Sequence, residues 1–311
     1  MIKGVMMLYG FDVGGTKIAF SVYDQNLNCL FEDQVATPHE YDDFMAIISE
    51  MVSAADIKFA SKGQVGLGIP GALNIEGLTT NCANVSAIKD RPLVSALSTL
   101  LDREIKLEND ANCFLLSECL GGSADDCATV LGVTLGTGLG GAIFSNGKII
   151  TGKNSFSGEI GHFPIPSTVL KMHPELPHLK CGCGREMCLE TYVSGTGLAN
   201  LYKYYANIDI KGPAILDRYR SGEETAINVI SVYFDILAAG IGTVMMILDA
   251  DAIVFGGGLS KFETLTKEFS NRLPEHLLSD VQLPLIKTAK FGSEGGARGA
   301  ALLNYVEANF N

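Results

Sequence analysis

The side chains best suited to chemistry lie between residues 159 and 190. Cys181, Cys183 and Cys188 follow the spacing C-x-C-x4-C, and His162 precedes them. Three thiolates and one imidazole suit tetrahedral zinc, and a full set of protein ligands predicts a closed structural site instead of a catalytic one. Ordinary buried cysteines are the alternative, but their density and the glycines between them favour zinc.

Two carboxylates, Glu159 and Glu190, flank this cluster. Carboxylate oxygens at such positions could bind something other than the metal, and groups of this kind recognise sugar hydroxyls. We therefore expect His162 to serve twice, as a metal ligand through one ring nitrogen and as a donor to substrate through the other.

A second candidate site is the motif DVGGTK, in which Asp12 ends an apolar run and is followed by Gly14, Gly15, Thr16 and Lys17. Glycines let backbone N–H groups approach phosphate oxygens. The hydroxyl and the ammonium add donors, and the carboxylate could hold Mg²⁺ through water. A plain hairpin turn with a solvated lysine explains this loop alone equally well.

The motif LGTGLGG at residues 135–141 repeats this glycine-rich hairpin in the second half of the chain. Two such hairpins could hold a polyphosphate from two sides. A third glycine cluster at 256–258 could let a flat ring lie against bare backbone, although a helix start near Ser260 also explains it. The candidate nucleotide-binding residues in these two clusters are Gly136, Thr137, Gly138, Gly140, Gly141, Gly257 and Gly258.

Asn109 and Asp110 follow a short apolar strand and precede a helix. A helix N-cap is the usual reason for an aspartate there. In a kinase, the same carboxylate would accept the proton of the attacking hydroxyl. The residues by themselves leave both interpretations open.

The elements that position these residues form two similar halves. A strand at 8–13, a glycine turn and a return strand at 18–23 open the first half, and strands at 128–135 and 142–145 repeat this arrangement. We interpret the repeat as an internal duplication, which predicts an α/β protein of two similar lobes with a central cleft. The other predicted elements are strands at 27–35, 65–69, 105–107, 148–151, 253–255 and 285–291 and helices at 42–59, 111–120, 189–206, 213–220, 223–248, 262–278 and 297–308.

The composition of the chain limits the kinds of binding partner and the cellular location that we expect. The 311 residues carry a formal charge of −12, from 23 basic and 35 acidic side chains, which disfavours nucleic acid and acidic membrane surfaces. The apolar start lacks a secretory signal, and the uncharged run at 236–248 is too short to span a bilayer. The cysteines outside the cluster lie in apolar stretches, which is typical of a reducing cytosol, so we expect a cytoplasmic protein.

The motifs as a set resemble the sugar kinases of the ROK family, within the hexokinase–actin-like ATPase fold of two ribonuclease-H-like lobes. The resemblance covers nearly the whole chain. Within the family, GFDVGGTKIA and NDANCF are most similar to motifs of bacterial kinases of N-acetyl-D-glucosamine. The resemblance to the ROK family rests on DVGGTK at 12–17, GIPG at 68–71, ENDAN at 108–112, LGTGLGG at 135–141, GEIGH at 158–162, the cysteine cluster with its glutamate at 181–190, and FGGGLS at 255–260.

The resemblance implies ATP-dependent phosphorylation of N-acetyl-D-glucosamine at its 6-hydroxyl, with Asp110 as catalytic base and with Mg²⁺ and a structural Zn²⁺. It implies that residues 10–17, Gly10 included, and 136–141 bind the ATP phosphates. It also implies a smaller lobe of residues 1–120, on which the helix of about 297–311 packs, and a larger lobe of 121–296. The implied sugar-binding residues are Gly71, Asn84, Asn109, Glu159, His162 and Glu190.

Other functions are kept open. N-acetylmannosamine or glucose is the alternative substrate, and a homodimer fits the family. A sugar-responsive regulator would carry a DNA-binding domain before the first glycine loop, whereas nine residues precede Gly10. An actin-like ATPase without a sugar substrate is disfavoured by the zinc cluster. One departure from the family is Met187, where a glycine usually precedes the last cysteine, so the turn at this position could differ.

Overall fold

The computed structural model describes residues 6–74, 76–82 and 84–310, with the side chains of 306–310 excepted. The chain forms two compact units. The first comprises residues 1–122, 147–157 and 290–311, and the second comprises 123–146 and 158–289. The division expected at 120 and 296 therefore lies at 122 and 289, and the segment 147–157 is grouped with the first unit.

The first unit is built on a five-stranded sheet in the order β3-β2-β1-β4-β7. Strands β1, β4 and β7 are parallel, so their carboxyl ends meet at one edge, where Asp12 pairs with Gly68 and Ile69 pairs with Asn109. Strands β2 and β3 continue antiparallel from β1. The strands are β1 (Leu8–Val13), β2 (Lys17–Tyr23), β3 (Cys29–Ala36), β4 (Gln64–Ile69) and β7 (Ile105–Asn109), and a separate hairpin is formed by β5 (Gly71–Leu73) and β6 (Thr80–Cys82).

Helices cover this sheet and complete its core. The helices are α1 (Tyr41–Phe59), α2 (Leu93–Leu101), α3 (Asp110–Cys119) and the C-terminal α10 (Gly295–Phe310). Helix α10 lies so close to β1 that a Cβ built on Gly10 would be 1.9 Å from the carbonyl oxygen of Ala297. The absence of a side chain at Gly10 is what allows this approach.

The second unit repeats the strand arrangement. Strands β8 (Thr129–Leu135), β9 (Leu139–Ser145), β11 (Ala252–Gly256) and β12 (Leu285–Thr288) lie in the order β9-β8-β11-β12. β8 and β9 are antiparallel, and β11 is parallel to both β8 and β12. The short β10 (Lys148–Ile149) follows β9 in sequence and belongs to the segment grouped with the first unit.

The helices of the second unit are α4 (Ser167–Met172), α5 (Glu190–Val193), α6 (Gly195–Ala206), α7 (Gly212–Arg220), α8 (Glu224–Leu248) and α9 (Leu265–Arg272). By length and composition α8 could cross a membrane, but 72% of its most apolar window is buried. Burial of this extent is typical of the core helix of a globular protein.

Two helices are shorter in the structure than the sequence predicted. The helix expected at 189–206 is two helices, because Ser194 is extended (φ −117°, ψ −178°) and its hydroxyl accepts a hydrogen bond from the Gly197 N–H as the N-cap of α6. The helix expected at 262–278 is α9 followed by a 3₁₀ turn, Leu273–His276, that contains Pro274. Proline cannot donate the hydrogen bond that a continuing α-helix needs.

Candidate active site

The carboxyl edge of the first sheet gathers the residues predicted to carry the reaction. Asn109 is the N-cap of α3, and its side-chain oxygen accepts a hydrogen bond from the Ala111 N–H at 2.9 Å. Its amide donates to the carbonyl of Gly71 at 3.2 Å. Asp110 is therefore the first residue of the helix, not its cap, and the capping interpretation of this aspartate is wrong.

Glu108 is a residue of this edge whose role the sequence analysis missed. Its carboxylate accepts hydrogen bonds from the Asn109 N–H at 2.7 Å and from the Asn112 side chain at 2.9 Å. Through these contacts it fixes the backbone immediately before Asp110. A glutamate four residues before an asparagine, across the start of a helix, is the signal that could have revealed it.

The first glycine turn lies at the same edge. Asp12 is largely buried; burial raises the pKa of its carboxyl group, and the nearby Lys17 charge partly opposes that shift. Thr37 donates from its hydroxyl to the Gly14 carbonyl at 2.6 Å and so anchors the turn. A Cβ on Gly15 would lie 2.7 Å from the Asn84 carbonyl oxygen, so the structure brings Asn84 directly beside this turn.

Three predicted phosphate-binding glycines lie within strands. Gly10 is in the middle of β1, paired with Ser21 and Gly66 and covered by α10. Gly140 and Gly141 are in β9, paired with β8. The structure gives Gly10 a packing role, and we leave it out of the phosphate site proposed below.

The second glycine turn is joined to the start of a helix. The Gly136 carbonyl accepts a hydrogen bond from the Gly195 N–H at 2.7 Å, and the Thr137 carbonyl accepts one from the Thr196 N–H at 3.3 Å. This turn carries no charged side chain. It is instead held against the first turn of α6.

A cavity of about 720 Å³ opens beside this turn within the second unit. Its volume lies in the range of small-molecule sites. Its walls combine apolar side chains with a few charged ones, and Gly258 of the third glycine cluster forms part of it, while Gly257 adopts a left-handed conformation (φ +80°) next to Leu135. Its lining residues include Thr137, Pro213, Leu216, Arg220, Leu259 and Phe262.

The predicted metal ligands come together. One ligand atom from each of His162, Cys181, Cys183 and Cys188 lies within 4.8 Å of all the others. The sulfurs of Cys183 and Cys188 are 3.7 Å apart, and the Cys181 sulfur is 3.6 Å from Nδ1 of His162. The four residues therefore form one compact cluster of soft and borderline donors.

Both flanking glutamates lie next to this cluster. Oε1 of Glu190 is 2.9 Å from the Cys181 sulfur. A Cβ built on Gly138 would lie 3.0 Å from Oε2 of the same carboxylate. Oε2 of Glu159 is 3.7 Å from Nε2 of His162. Glu190 thus borders both the cysteine cluster and the second glycine turn.

The cysteines of the cluster differ electrostatically. Burial, followed by the neighbouring Glu190 carboxylate, raises the pKa of the Cys181 thiol, and burial also raises that of Cys188. The Arg185 N–H lowers the pKa of Cys183, which is exposed. Cys183 is accordingly the thiol that ionises most readily.

The backbone of the cluster is held by contacts that the spacing did not reveal. The buried hydroxyl of Tyr192 donates to the Pro177 carbonyl at 2.6 Å and accepts from the Leu179 N–H at 3.2 Å. Met187 has φ +58°, so it retains a left-handed turn conformation usually taken by glycine. Its N–H donates to Leu179 and its carbonyl accepts from Ile165.

Comparison with known proteins places these features in a family context. The ROK family model matches residues 8–306. The N-acetyl-D-glucosamine kinase of Escherichia coli (strain K12) is 44% identical over 303 residues, which is 97% of this chain and 100% of the relative.

Two solved structures share the fold. A ROK hexokinase from Thermus thermophilus has a TM-score of 0.88 at 27% identity and covers 98% of this chain and 100% of its own. A ROK family glucokinase from Streptomyces griseus, in complex with glucose and AMPPNP, has a TM-score of 0.76 at 26% identity, with 96% and 99% covered.

Proposed function

Because this chain belongs to the ROK family, we propose that it transfers the γ-phosphoryl group of ATP to the 6-hydroxyl of N-acetyl-D-glucosamine, giving N-acetylglucosamine 6-phosphate and ADP. The observation that carries the proposal is the position of Glu190. Its carboxylate borders the second glycine turn on one side and the cysteine cluster on the other. A sugar-binding carboxylate thereby lies next to a phosphate-binding turn within one unit.

The reaction is an in-line displacement in which Asp110 acts as the base. Its carboxylate takes the proton of the sugar 6-hydroxyl as that oxygen forms a bond to the γ-phosphorus and the bond to the β-phosphate oxygen breaks. The arrangement Glu108–Asn109 supports this role, because it fixes the backbone that carries Asp110. Asn109, which caps α3 in place of Asp110, also donates to the Gly71 carbonyl and so holds this edge of the sheet.

Sugar hydroxyls are recognised by polar groups in each unit. In the first, these are Asn84, Asn109 and the backbone at Gly71; in the second, they are Glu159, His162 and Glu190. Selectivity of this kind is strong, because a site that hydrogen-bonds a hydroxyl leaves buried polar groups unpaired when that hydroxyl is missing.

Phosphates are bound by backbone N–H groups in the glycine turns and by Thr16, Lys17 and Thr137. Asp12 suits Mg²⁺ held through water, and the ion, when bound with ATP, neutralises charge that develops on the phosphates. The nucleoside occupies the cavity beside Gly136, Thr137 and Gly258, whose volume and mixed walls fit it.

The cysteine cluster fits a structural zinc ion. Bond lengths of about 2.3 Å to sulfur and about 2.0–2.1 Å to nitrogen in a tetrahedron give about 3.8 Å between sulfurs and about 3.5–3.6 Å between sulfur and nitrogen. The observed 3.7 Å and 3.6 Å agree with both values. His162 would bind through Nδ1, which leaves Nε2 directed at Glu159. A zinc ion held by these four residues would supply no reaction step and would fix the loop that carries the sugar-binding groups.

We also infer a cytoplasmic location, because none of the eight cysteines forms a disulfide in the structure, as is typical of a reducing compartment. We also propose a homodimer, as fits the family. Sedimentation of the purified protein tests the dimer, and a single species at monomer mass would refute it.

The deciding experiment is a coupled assay of ADP formation with N-acetylglucosamine, N-acetylmannosamine and glucose. We expect the highest kcat/KM with N-acetylglucosamine. A preference for another hexose would replace the substrate and keep the reaction. ATP hydrolysis that ignores every hexose would indicate the ATPase alternative, and tight, salt-sensitive DNA binding would indicate a regulator.

A second experiment tests the metal. We expect about one zinc per chain in freshly purified protein, and we expect Cys181→Ser to weaken sugar binding while ADP still binds. Cys29→Ser, at an exposed cysteine outside the cluster, is the matched control. Protein without zinc that binds the sugar normally would refute the site.

A further inference from the structure

Two separate segments line the cavity proposed for the nucleoside. One wall is α7, which contributes Pro213 and Leu216, and the other follows β11 and contributes Leu259 and Phe262. These segments are about forty residues apart in sequence. The space available to a nucleoside therefore depends on what holds the two segments at a constant separation.

Arg220, the last residue of α7, connects the walls. Its Nε and Nη2 lie 2.8 Å and 2.9 Å from the two carboxylate oxygens of Glu263, which directly follows Phe262. Its Nη1 donates to Asp217 at 2.8 Å. A guanidinium bound to a carboxylate at two points is fixed in its plane as well as in its position.

A ring contact reinforces this connection. The rings of Tyr219 and Phe262 meet edge to face with centroids 5.4 Å apart. Binding by Arg220 also lowers the pKa of Glu263 to about 2, so the pair stays charged across the physiological range. Three of the five guanidinium N–H groups make these contacts, and Arg220 itself lines the cavity.

We propose that Arg220 is a positioning residue for the phosphoryl donor: by clasping Glu263 it holds the two cavity walls at the spacing that binds a nucleoside di- or triphosphate. The inference rests on the proposed kinase activity, which makes a nucleotide the ligand of this cavity. It concerns the residues around the nucleoside and not those that bind the sugar. Asp217 keeps the guanidinium oriented from the α7 side.

A surface ion pair without function is the alternative. The Arg220 and Glu263 side chains are 45% and 53% exposed, and pairs of that exposure usually contribute little to folding stability. The proposal therefore predicts an effect on nucleotide affinity that is out of proportion to any effect on stability. That difference is measurable.

The test measures the Kd of ADP by calorimetry, together with KM for ATP, KM for the sugar and kcat. For Arg220→Ala we expect Kd and KM(ATP) to rise on the order of fivefold, a modest change that fits a partly exposed pair, with kcat and KM(sugar) unchanged. The ADP affinity of Arg220→Lys should fall between those of the wild type and Arg220→Ala, because lysine keeps the charge but lacks the planar guanidinium. The exchange R220E/E263R should recover part of the affinity.

Arg218→Ala is the matched control. Arg218 lies on the same helix and also binds a glutamate, Glu223, at 3.3 Å, but it is not among the cavity-lining residues. Unchanged ADP affinity in R220A, or an equal loss in R218A, would overturn the inference. ADP binding is measured without sugar, so a wild-type protein that binds ADP but phosphorylates no hexose would defeat the proposed function and leave the test of Arg220 intact.

Discussion

The two glycine turns use one backbone design with different surroundings. The turn after β1 has Asp12 before it and Lys17 after it, and its Gly15 lies against the Asn84 backbone. The turn after β8 has no charged residue of its own, is bound to the start of α6, and borders the nucleotide-sized cavity. An antiparallel strand–turn–strand pair occurs in both units, and the neighbours of each turn differ.

This contrast indicates a division of labour. The first unit provides charge and the candidate base at the carboxyl edge of its sheet. The second unit provides an open cavity of about 720 Å³ and the cluster of His162 and three cysteines with its flanking glutamates. Substitution of the candidate base in the first should therefore alter turnover, and substitutions at the cavity or the cysteine cluster of the second should alter binding.

The largest effect is expected for Asp110→Asn. Loss of a general base costs about 10²–10⁴-fold in kcat, while the Kd of ADP should stay unchanged because the cavity proposed for the nucleoside belongs to the other unit. Steady-state kinetics and calorimetry measure the two quantities. Asp43→Asn, at an exposed position of α1, is the control. Near-normal turnover by folded D110N protein would show that the first unit does not hold the base.

The next effect compares one glycine from each turn. A Cβ at Gly15 would lie 2.7 Å from the Asn84 carbonyl oxygen, whereas a Cβ at Gly136 would meet nothing within 4 Å. Gly15→Ala should therefore displace backbone and cost roughly 1–3 kcal/mol of folding stability, as overpacking does. Gly136→Ala should leave the midpoint of thermal unfolding nearly unchanged. Equal destabilisation of both variants would contradict the contrast between the two turns.

A smaller effect concerns pH and Asp12. Burial raises the pKa of this carboxyl group in the folded state, so the folded protein holds the proton more tightly than the unfolded chain. The stability contributed by Asp12 is present below the unfolded pKa, about 3.9, and is lost as the pH rises through the folded pKa. Asp12→Asn should thus raise the unfolding temperature at neutral pH by on the order of a few degrees.

The same substitution should not stabilise the protein at acidic pH, where the wild-type carboxyl is already neutral, and it should reduce phosphoryl transfer at every pH. Unfolding scans at several pH values distinguish this outcome from a simple packing effect. An unfolding temperature that rises equally at acidic and neutral pH would argue against the burial cost.

Much of the fold was predictable because its elements have strong local patterns. Strand β1 occupies the predicted range, 8–13, and α1 begins one residue before the predicted 42–59. The errors arose where one polar residue or proline competes with a helical pattern, as at Ser194 and Pro274. The hairpin β5–β6 was not predicted, because three-residue strands are too short to show periodicity.

The site was predictable to the extent that its chemistry is local in sequence. The cysteine spacing and His162 foretold a cluster that the structure does form. Roles that depend on distant partners were not accessible, as with Gly10, whose packing against α10 requires knowing where a helix nearly three hundred residues later lies. The clasp between Arg220 and Glu263 was missed for the same reason.

The smallest effect is expected for Lys17→Met, which tests whether only the first glycine turn contributes charge to ATP binding. Lys17 is exposed and its ammonium is 3.5 Å from the Gln34 side chain, so its loss should leave the fold intact. KM for ATP should rise roughly twofold to fivefold, as expected for one screened charge, and should become less sensitive to salt. Thr137→Ala in the other turn should leave the salt dependence unchanged, since no charge is lost there.

Because Lys17 partly opposes the raised pKa of Asp12, K17M and D12N should also be non-additive in stability at neutral pH. Additive effects would mean that the two charges of the first turn act independently.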